Sequence, residues 1–222
     1  MENGMDHVLI TGASRGIGRA LAESYARDRI PVIGTCRGPM EATGGIDWQQ
    51  ADVTDSASMN ALAERLGDRR IGFLICNAGV YPDKGLPPEA LTPELWAQCF
   101  AVNVAGVFLT VQTLRPLLDS GARVAIIGSA MGSSTRAWGG SYVYRASKAA
   151  VLNLGRNLAT DLRDEGIAVG IYHPGWVRTD MGGALADIGT DRAVAGLRAR
   201  FAALDVGHSG CFENYDGTQI DY

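Results

Sequence analysis

The sequence predicts a doubly wound α/β fold, a parallel sheet with helices on both faces. Two observations carry this expectation. Short runs rich in β-branched residues alternate with longer helical segments, and a glycine-rich turn joins the first run to the first helix. Strand and helix in repetition imply parallel neighbours joined by right-handed crossovers, with ligands held at the strands' carboxyl ends.

The strands are expected at His7–Thr11, Pro31–Cys36, Ile71–Cys76, Arg123–Gly128 and Ile167–His173, with a weaker one at Ile46–Ala51. Arg15–Arg27 places Ile17, Leu21 and Tyr25 at helical spacing. Ser56–Leu66 gathers Met59, Leu62, Ala63 and Leu66 on one face behind Asp55, a good capping residue. Pro93–Leu118 and Ser141–Glu165 are longer helix candidates. Thr92 suits a helix start because its hydroxyl can cap and Pro93 fits the first turn. After Met181 the pattern weakens to a helix near Asp191–Ala203 and a final strand at Cys211–Tyr215. No internal repeat, linker or low-complexity tract interrupts the chain, so residues 1–222 read as one domain.

At 222 residues the chain can bury roughly 70% of its unfolded surface, enough for a core without staples. Hydrophobic residues at 46% against 20% charged exclude the composition of a disordered chain. A net charge of −4 offers no basic field, so neither nucleic acid nor an anionic membrane is an expected partner. The longest apolar run, Ala101–Val111, is broken by Asn103 and falls short of the roughly 20 residues that span a bilayer. Met1–His7 carries acids and no apolar stretch of the signal-peptide kind, so a cytoplasmic location is expected. Cys36, Cys76, Cys99 and Cys211 have neither zinc spacing nor a Cys-x-x-Cys pair; they read as buried thiols, and no metal is expected.

The first chemical motif is Thr11-Gly12-Ala13-Ser14-Arg15-Gly16-Ile17-Gly18, placed after a strand and opening a helix. Gly12 permits the tight turn, Gly16 lets the backbone approach a pyrophosphate, and Gly18 lets helix and strand pack closely. The free amides of the helix start supply the anion site. The second is Tyr144-Arg145-Ala146-Ser147-Lys148, whose Tyr144 and Lys148 share a helix face. A cation beside the phenol is expected to favour phenolate and lower its pKa, which suits acid–base work at a carbonyl or alcohol. Ser129, just past a strand end, is placed to hydrogen-bond the same substrate oxygen. Each of these has an ordinary alternative on its own: a strand-to-helix turn, a boundary tyrosine with a solvated lysine, a turn serine.

Their order in the chain changes the weighing. The glycine motif, Asn77-Ala78-Gly79 after its strand, Asn103, Ser129 and the Tyr144/Lys148 pair together resemble the short-chain dehydrogenase/reductase family over essentially the whole chain. The resemblance implies a single Rossmann-like domain, with residues 1–119 mainly binding dinucleotide and 120–222 carrying catalysis and substrate binding. It implies a tetrad of Asn103, Ser129, Tyr144 and Lys148. Tyr144 protonates the substrate oxygen, Ser129 orients it, Lys148 also binds ribose hydroxyls, and Asn103 holds a water feeding protons toward Lys148.

Cofactor choice follows from the second strand's end. Where an acid would accept the ribose hydroxyls of NAD, this chain has Thr35-Cys36-Arg37. Arg37, with Arg15 in the glycine loop, can pair with a 2′-phosphate, so NADP(H) is preferred over NAD(H). Asp52 and Val53 resemble the family's adenine-contacting pair. Pro174-Gly175-Trp176-Val177-Arg178-Thr179 resembles the segment that bends over the nicotinamide, with the Val177 backbone and the Thr179 hydroxyl near its carboxamide or phosphates. His173 reads as a packed strand-end histidine, since the tetrad already supplies the proton.

The short tail after Gly183, with Thr35-Cys36-Arg37 and Thr179-Asp180-Met181-Gly182-Gly183, narrows the resemblance to C-factor-like and sniffer-type carbonyl reductases. Met131, Trp138, Tyr142, Trp176 and Met181 flank the expected substrate space and would make it apolar, with Gly182 and Gly183 letting the following segment move as a short lid. The expected activity is NADP(H)-dependent interconversion of a small carbonyl and its alcohol, in a possible homo-oligomer. The alternative is a nucleotide-binding signalling protein of C-factor type. A sugar-nucleotide epimerase would need a different glycine spacing and a larger carboxyl-terminal substrate domain.

Overall fold

The computed structural model describes residues 6–41 and 44–222; residues 1–5, part of the amino-terminal stretch considered above, lie outside the described residues. Seven strands, β1 (His7–Ile10), β2 (Val32–Cys36), β3 (Ile46–Gln50), β4 (Ile71–Cys76), β5 (Arg123–Ile127), β6 (Ala168–His173) and β7 (Phe212–Asn214), form one sheet in the order β3-β2-β1-β4-β5-β6-β7. All neighbours are parallel. This is the expected Rossmann-like α/β fold, and its direction of travel reverses between β1 and β4.

Side chains alternate between the sheet's two faces, so each strand feeds two cores. Val8 and Ile10 of β1 pack with Leu21, Ala22 and Tyr25 of α1 (Gly16–Arg27) and with Leu197 and Phe201 of α6 (Thr190–Ala202). Leu9 faces the other way, toward Met59 and Leu62 of α2 (Ser56–Leu66). The same layer holds Val151 and Leu158 of α5 (Tyr142–Asp161). Asp55 caps α2 as expected, accepting from the Ala57 amide at 2.9 Å.

The helix expected at Pro93–Leu118 is not uniform. It runs as α3 (Pro93–Phe100), a π turn at Ala101–Ala105 and α4 (Gly106–Leu114), with Thr92 at the cap position but making no side-chain bond to the backbone. The segment Pro93–Leu117 reaches a mean hydropathy of 1.4 and is, by length and composition alone, long and apolar enough to cross a bilayer, which the shorter run Ala101–Val111 did not suggest. Its buried residues Cys99, Val107, Val111 and Leu114 face the body of the protein, Val107, Val111 and Leu114 joining the second core. Cys36, Cys76 and Cys99 are buried free thiols as expected; Cys211 is only half-buried.

Candidate active site

A cavity of about 420 Å³ opens along the carboxyl ends of β1, β2, β4, β5 and β6, lined there by Gly12, Arg37, Asn77, Ile127 and Pro174. The sheet's reversal leaves this edge uncovered, because helices leave β1 and β4 toward opposite faces. Ser14, Arg15, Gly16, Ile17, Asp52, Val53, Ala78, Gly79, Tyr144, Lys148, Thr179 and Met181 also reach its wall.

The glycine turn is shaped by close approach. Gly12 has φ 64, and a Cβ there would lie 2.8 Å from the Ala78 Cα; one on Gly18 would lie 2.3 Å from the Asn77 amide nitrogen. Gly18 therefore sits behind the cavity wall and serves packing, as the motif predicted. Asn77 locks this junction by donating to the Thr11 and Gly12 carbonyls, both at 3.0 Å, while the Thr11 hydroxyl accepts from the Asn77 and Ala78 amides. That role for Thr11 has no mark in the sequence beyond its place at the strand end.

Asn103 lies in the π turn and is 1% exposed. Its Oδ1 accepts from the Val80 amide at 2.8 Å, and its Nδ2 donates to the Val80 carbonyl at 2.9 Å and to Ser147 Oγ at 3.0 Å. Through these bonds Asn103 clips the segment after β4 to the helix layer. Ser129 accepts from the Met131 amide at 3.2 Å and follows Gly128, which lines the cavity, but Ser129 itself is not part of that lining.

Tyr144 and Lys148 rise from the same face of α5 into the cavity, both buried, with the Lys148 ammonium 5.7 Å from the tyrosine ring centroid. Burial, the larger effect, pushes the Tyr144 phenol well above its ordinary value, and the neighbouring Ser129 hydroxyl offsets only part of this. Burial also pushes Lys148 down to about 8. The sequence-based expectation of a lowered tyrosine pKa is corrected here. The ammonium is aimed at the Ile127 carbonyl at 2.8 Å, and desolvation outweighs its influence on the phenol. Tyr144 therefore holds its proton at neutral pH, as a proton donor must.

Several expected contacts fall elsewhere. Arg15 forms an exposed ion pair with Asp180 at 3.0 Å instead of standing free; such a pair is worth at most about 1 kcal/mol and yields easily to a stronger anion. Val177 is buried with Ile188 and Ala193, and Gly175 packs toward Ile188 and Tyr215, so neither forms the cavity wall. Of the five candidate substrate residues only Met181 lines the cavity. Trp176 uses its indole N–H on the Gly182 carbonyl at 2.9 Å, Trp138 stands 78% exposed beside Gly139 and Gly140, Tyr142 points outward from the first turn of α5, and Met131 lies in the short turn after Ser129. Gly182 and Gly183 are pinned rather than free: Lys84 Nζ donates to the Met181 and Gly182 carbonyls, and the Gly182 amide donates to Thr179 Oγ1. His173 is largely buried, with Nδ1 lacking a partner, and burial pushes its pKa down to about 4, consistent with a packed neutral imidazole.

The fold and this constellation define an oxidoreductase of the nucleotide-binding α/β class. The short chain dehydrogenase family model matches residues 6–188, and the chain belongs to that family. A 1-hydroxy-2-glutathionyl-2-methyl-3-butene dehydrogenase of a Rhodococcus species is 34% identical over 98% of this chain and 100% of its own length. The C-signal of Myxococcus xanthus is 40% identical over 74% of this chain and 100% of its own. Among solved structures, an NADPH-bound carbonyl reductase from chicken fatty liver superposes with TM-score 0.87 at 28% identity, covering 98% of this chain and 99% of that one. The carbonyl reductase Sniffer of D. melanogaster superposes with TM-score 0.89 at 26% identity, covering 98% of this chain and 100% of its own.

Proposed function

We propose that this chain is an NADP(H)-dependent carbonyl reductase in which Tyr144 is the acid–base group. The observation that carries the reading is the convergence of Tyr144 and Lys148, both buried, on a cavity whose other end is the glycine turn and Arg37. A buried ammonium with no carboxylate partner among the described residues is costly to keep, and chemistry is a reason to keep it.

The residues present suit a dinucleotide. Gly12 and Gly16 bring bare backbone and the α1 amides to the cavity, Asp52 and Val53 form its adenine end, and the exposed Arg37 guanidinium lines its rim with no ion-pair partner among the described residues. When bound, the nicotinamide supplies or accepts a hydride. In reduction, Tyr144 delivers a proton to the substrate oxygen, Ser129 orients that oxygen, and Lys148 binds the ribose. The NADPH-bound relative supports the cofactor preference. Val80, Val102, Ile127 and Met181 give the cavity apolar wall beside the polar Gln98, Thr179 and Asp180, and that apolar share is our reason to favour hydrophobic carbonyls over sugars. We therefore expect broad, modest reduction of small aryl aldehydes and ketones and poor activity on free sugars in a turnover screen. A sugar turned over far more efficiently than every aryl carbonyl would overturn the substrate reading.

Arg37→Ala should weaken NADPH by about 10- to 150-fold, the loss of one charge-assisted contact, while leaving NADH nearly unchanged. Steady-state kinetics with the two cofactors tests this. Equal efficiency with NADPH and NADH in the native protein rejects the premise before mutagenesis.

The similarity to the C-signal keeps a second reading, nucleotide binding with a signalling output and no turnover. It predicts NADPH binding without oxidation by any carbonyl in the same screen.

A further inference from the structure

We propose that Asp83 is a positioning residue for the acid–base step: its carboxylate caps the helix that carries Tyr144 and Lys148 and fixes the height of the phenol in the cavity. The inference rests on the role of Tyr144 proposed above.

Helix α5 begins without an ordinary cap. Ser141 stands at the cap position with φ 49, in the left-handed region, and makes no side-chain cap bond. The first amides of the helix are then buried donors in search of acceptors. Asp83 supplies them from far away in sequence: Oδ2 accepts from the Val143 amide at 2.8 Å and Oδ1 from the Tyr144 amide at 3.2 Å. The carboxylate is 1% exposed, and none of the described ion pairs involves it. Two amides and the positive end of the helix offset the burial of its charge. One of those amides belongs to Tyr144 itself.

The short segment that holds Asp83 is clamped from both sides. Asn103 grips Val80 through both polar atoms of its side-chain amide, Oδ1 accepting from the Val80 amide and Nδ2 donating to its carbonyl. The Tyr81 ring stacks on the Tyr144 ring, centroids 4.0 Å apart and planes 16° from parallel, and its hydroxyl meets Ser141 Oγ. Lys84 then ties the segment to the Met181 and Gly182 carbonyls. Residues 80–84 thus join the π turn, the start of α5 and the loop after β6, and α5 cannot shift along its axis without breaking the Asp83 bonds.

Charge gives the contact a second consequence. The groups facing the Tyr144 phenol are Ser129 from the end of β5, Tyr81 and Asp83 from the segment after β4, Cys99 from α3 and Lys148 one turn further along α5. Asp83 is the carboxylate among them, and its charge opposes formation of the phenolate. Removing that charge makes the phenolate easier to form.

The test compares native protein, Asp83→Ala, Asp83→Asn and Tyr144→Phe, with an aryl ketone in reduction and its alcohol in oxidation across about pH 6 to 10. Asp83→Ala is expected to lose about 10- to 100-fold in kcat, the scale of a misplaced reacting group, with KM and the NADPH Kd within about twofold. Asp83→Asn, which keeps an acceptor oxygen but no charge, should recover part of kcat and move the rise of oxidation rate with pH to lower pH. Native kcat and a native pH profile in either folded variant overturn the proposal, as does a lowered Tm with per-molecule kcat and pH profile unchanged. Should Asp83→Ala fail to fold, kcat of Asp83→Asn decides: turnover lowered with KM and NADPH Kd held supports positioning, and native kcat rejects it. Turnover retained in Tyr144→Phe overturns the role of the tyrosine and this proposal with it; an inactive Tyr144→Phe beside an unaffected Asp83→Asn overturns this proposal alone.

Discussion

Tyr144→Phe is expected to lower kcat for an aryl ketone by about 10²- to 10⁴-fold, the usual worth of a positioned general acid. The substitution removes one oxygen and little else. The ring keeps its stack on Tyr81, the Tyr144 amide keeps its bond to Asp83, and the cavity keeps its shape. NADPH affinity and Tm should therefore stay close to native, which separates a chemical loss from a structural one. Because burial holds the phenol protonated, reduction needs no prior titration of Tyr144, whereas alcohol oxidation does and should quicken as pH rises. Near-native turnover of the Phe variant with a verified ketone would sink the assignment.

The second large effect belongs to Lys148. Lys148→Met keeps the volume of the side chain but removes the charge and leaves the Ile127 carbonyl without its 2.8 Å partner. The orphaned acceptor costs about 1–3 kcal/mol, but the substitution also relieves the burial of the ammonium charge, so the two effects oppose and Tm should change little. Loss of the charge-assisted contacts to the ribose should weaken NADPH by about 10- to 150-fold and lower kcat as well. The sign of the pH dependence follows from the depressed pKa. The ammonium is present below about 8 and lost above it, so native NADPH affinity should hold below that pH and fall as pH rises through it. In Lys148→Met the same titration should be flat. An unchanged Kd in the variant, or a native Kd that ignores this range, would contradict the double role.

The legible part of the site was the part written locally. Gly12, Gly16 and Gly18 occur within one turn, and Tyr144 and Lys148 within one helical repeat, so spacing alone placed them together. Arg37 was legible for the same reason, as the residue following a strand whose partner strand carries the glycine turn. Asn103 was legible as a polar residue in an apolar run, but its π turn was not, because Phe100-Ala101-Val102-Asn103-Val104 has no proline or paired small polar residue to mark a break in helical register. Of the candidate substrate side chains only Met181 reaches the cavity. Being aromatic and near the site in sequence says nothing about direction, and Trp176 turned its indole to a backbone carbonyl instead of the cavity.

Periodicity and turn chemistry act over a few residues, so the sheet, the direction of its strands, the glycine turn and the helix pairing Tyr144 with Lys148 could all be read from local sequence. The electrical state of the pair depends on long-range packing instead. Burial raises the phenol and lowers the ammonium, and burial depends on everything packed around α5. Long-range packing also decides what holds that helix in place. Asp83, Tyr81 and Asn103 meet α5 from segments about 40 to 60 residues away, and the hydrogen bonds that join them exist only after the chain has closed on itself.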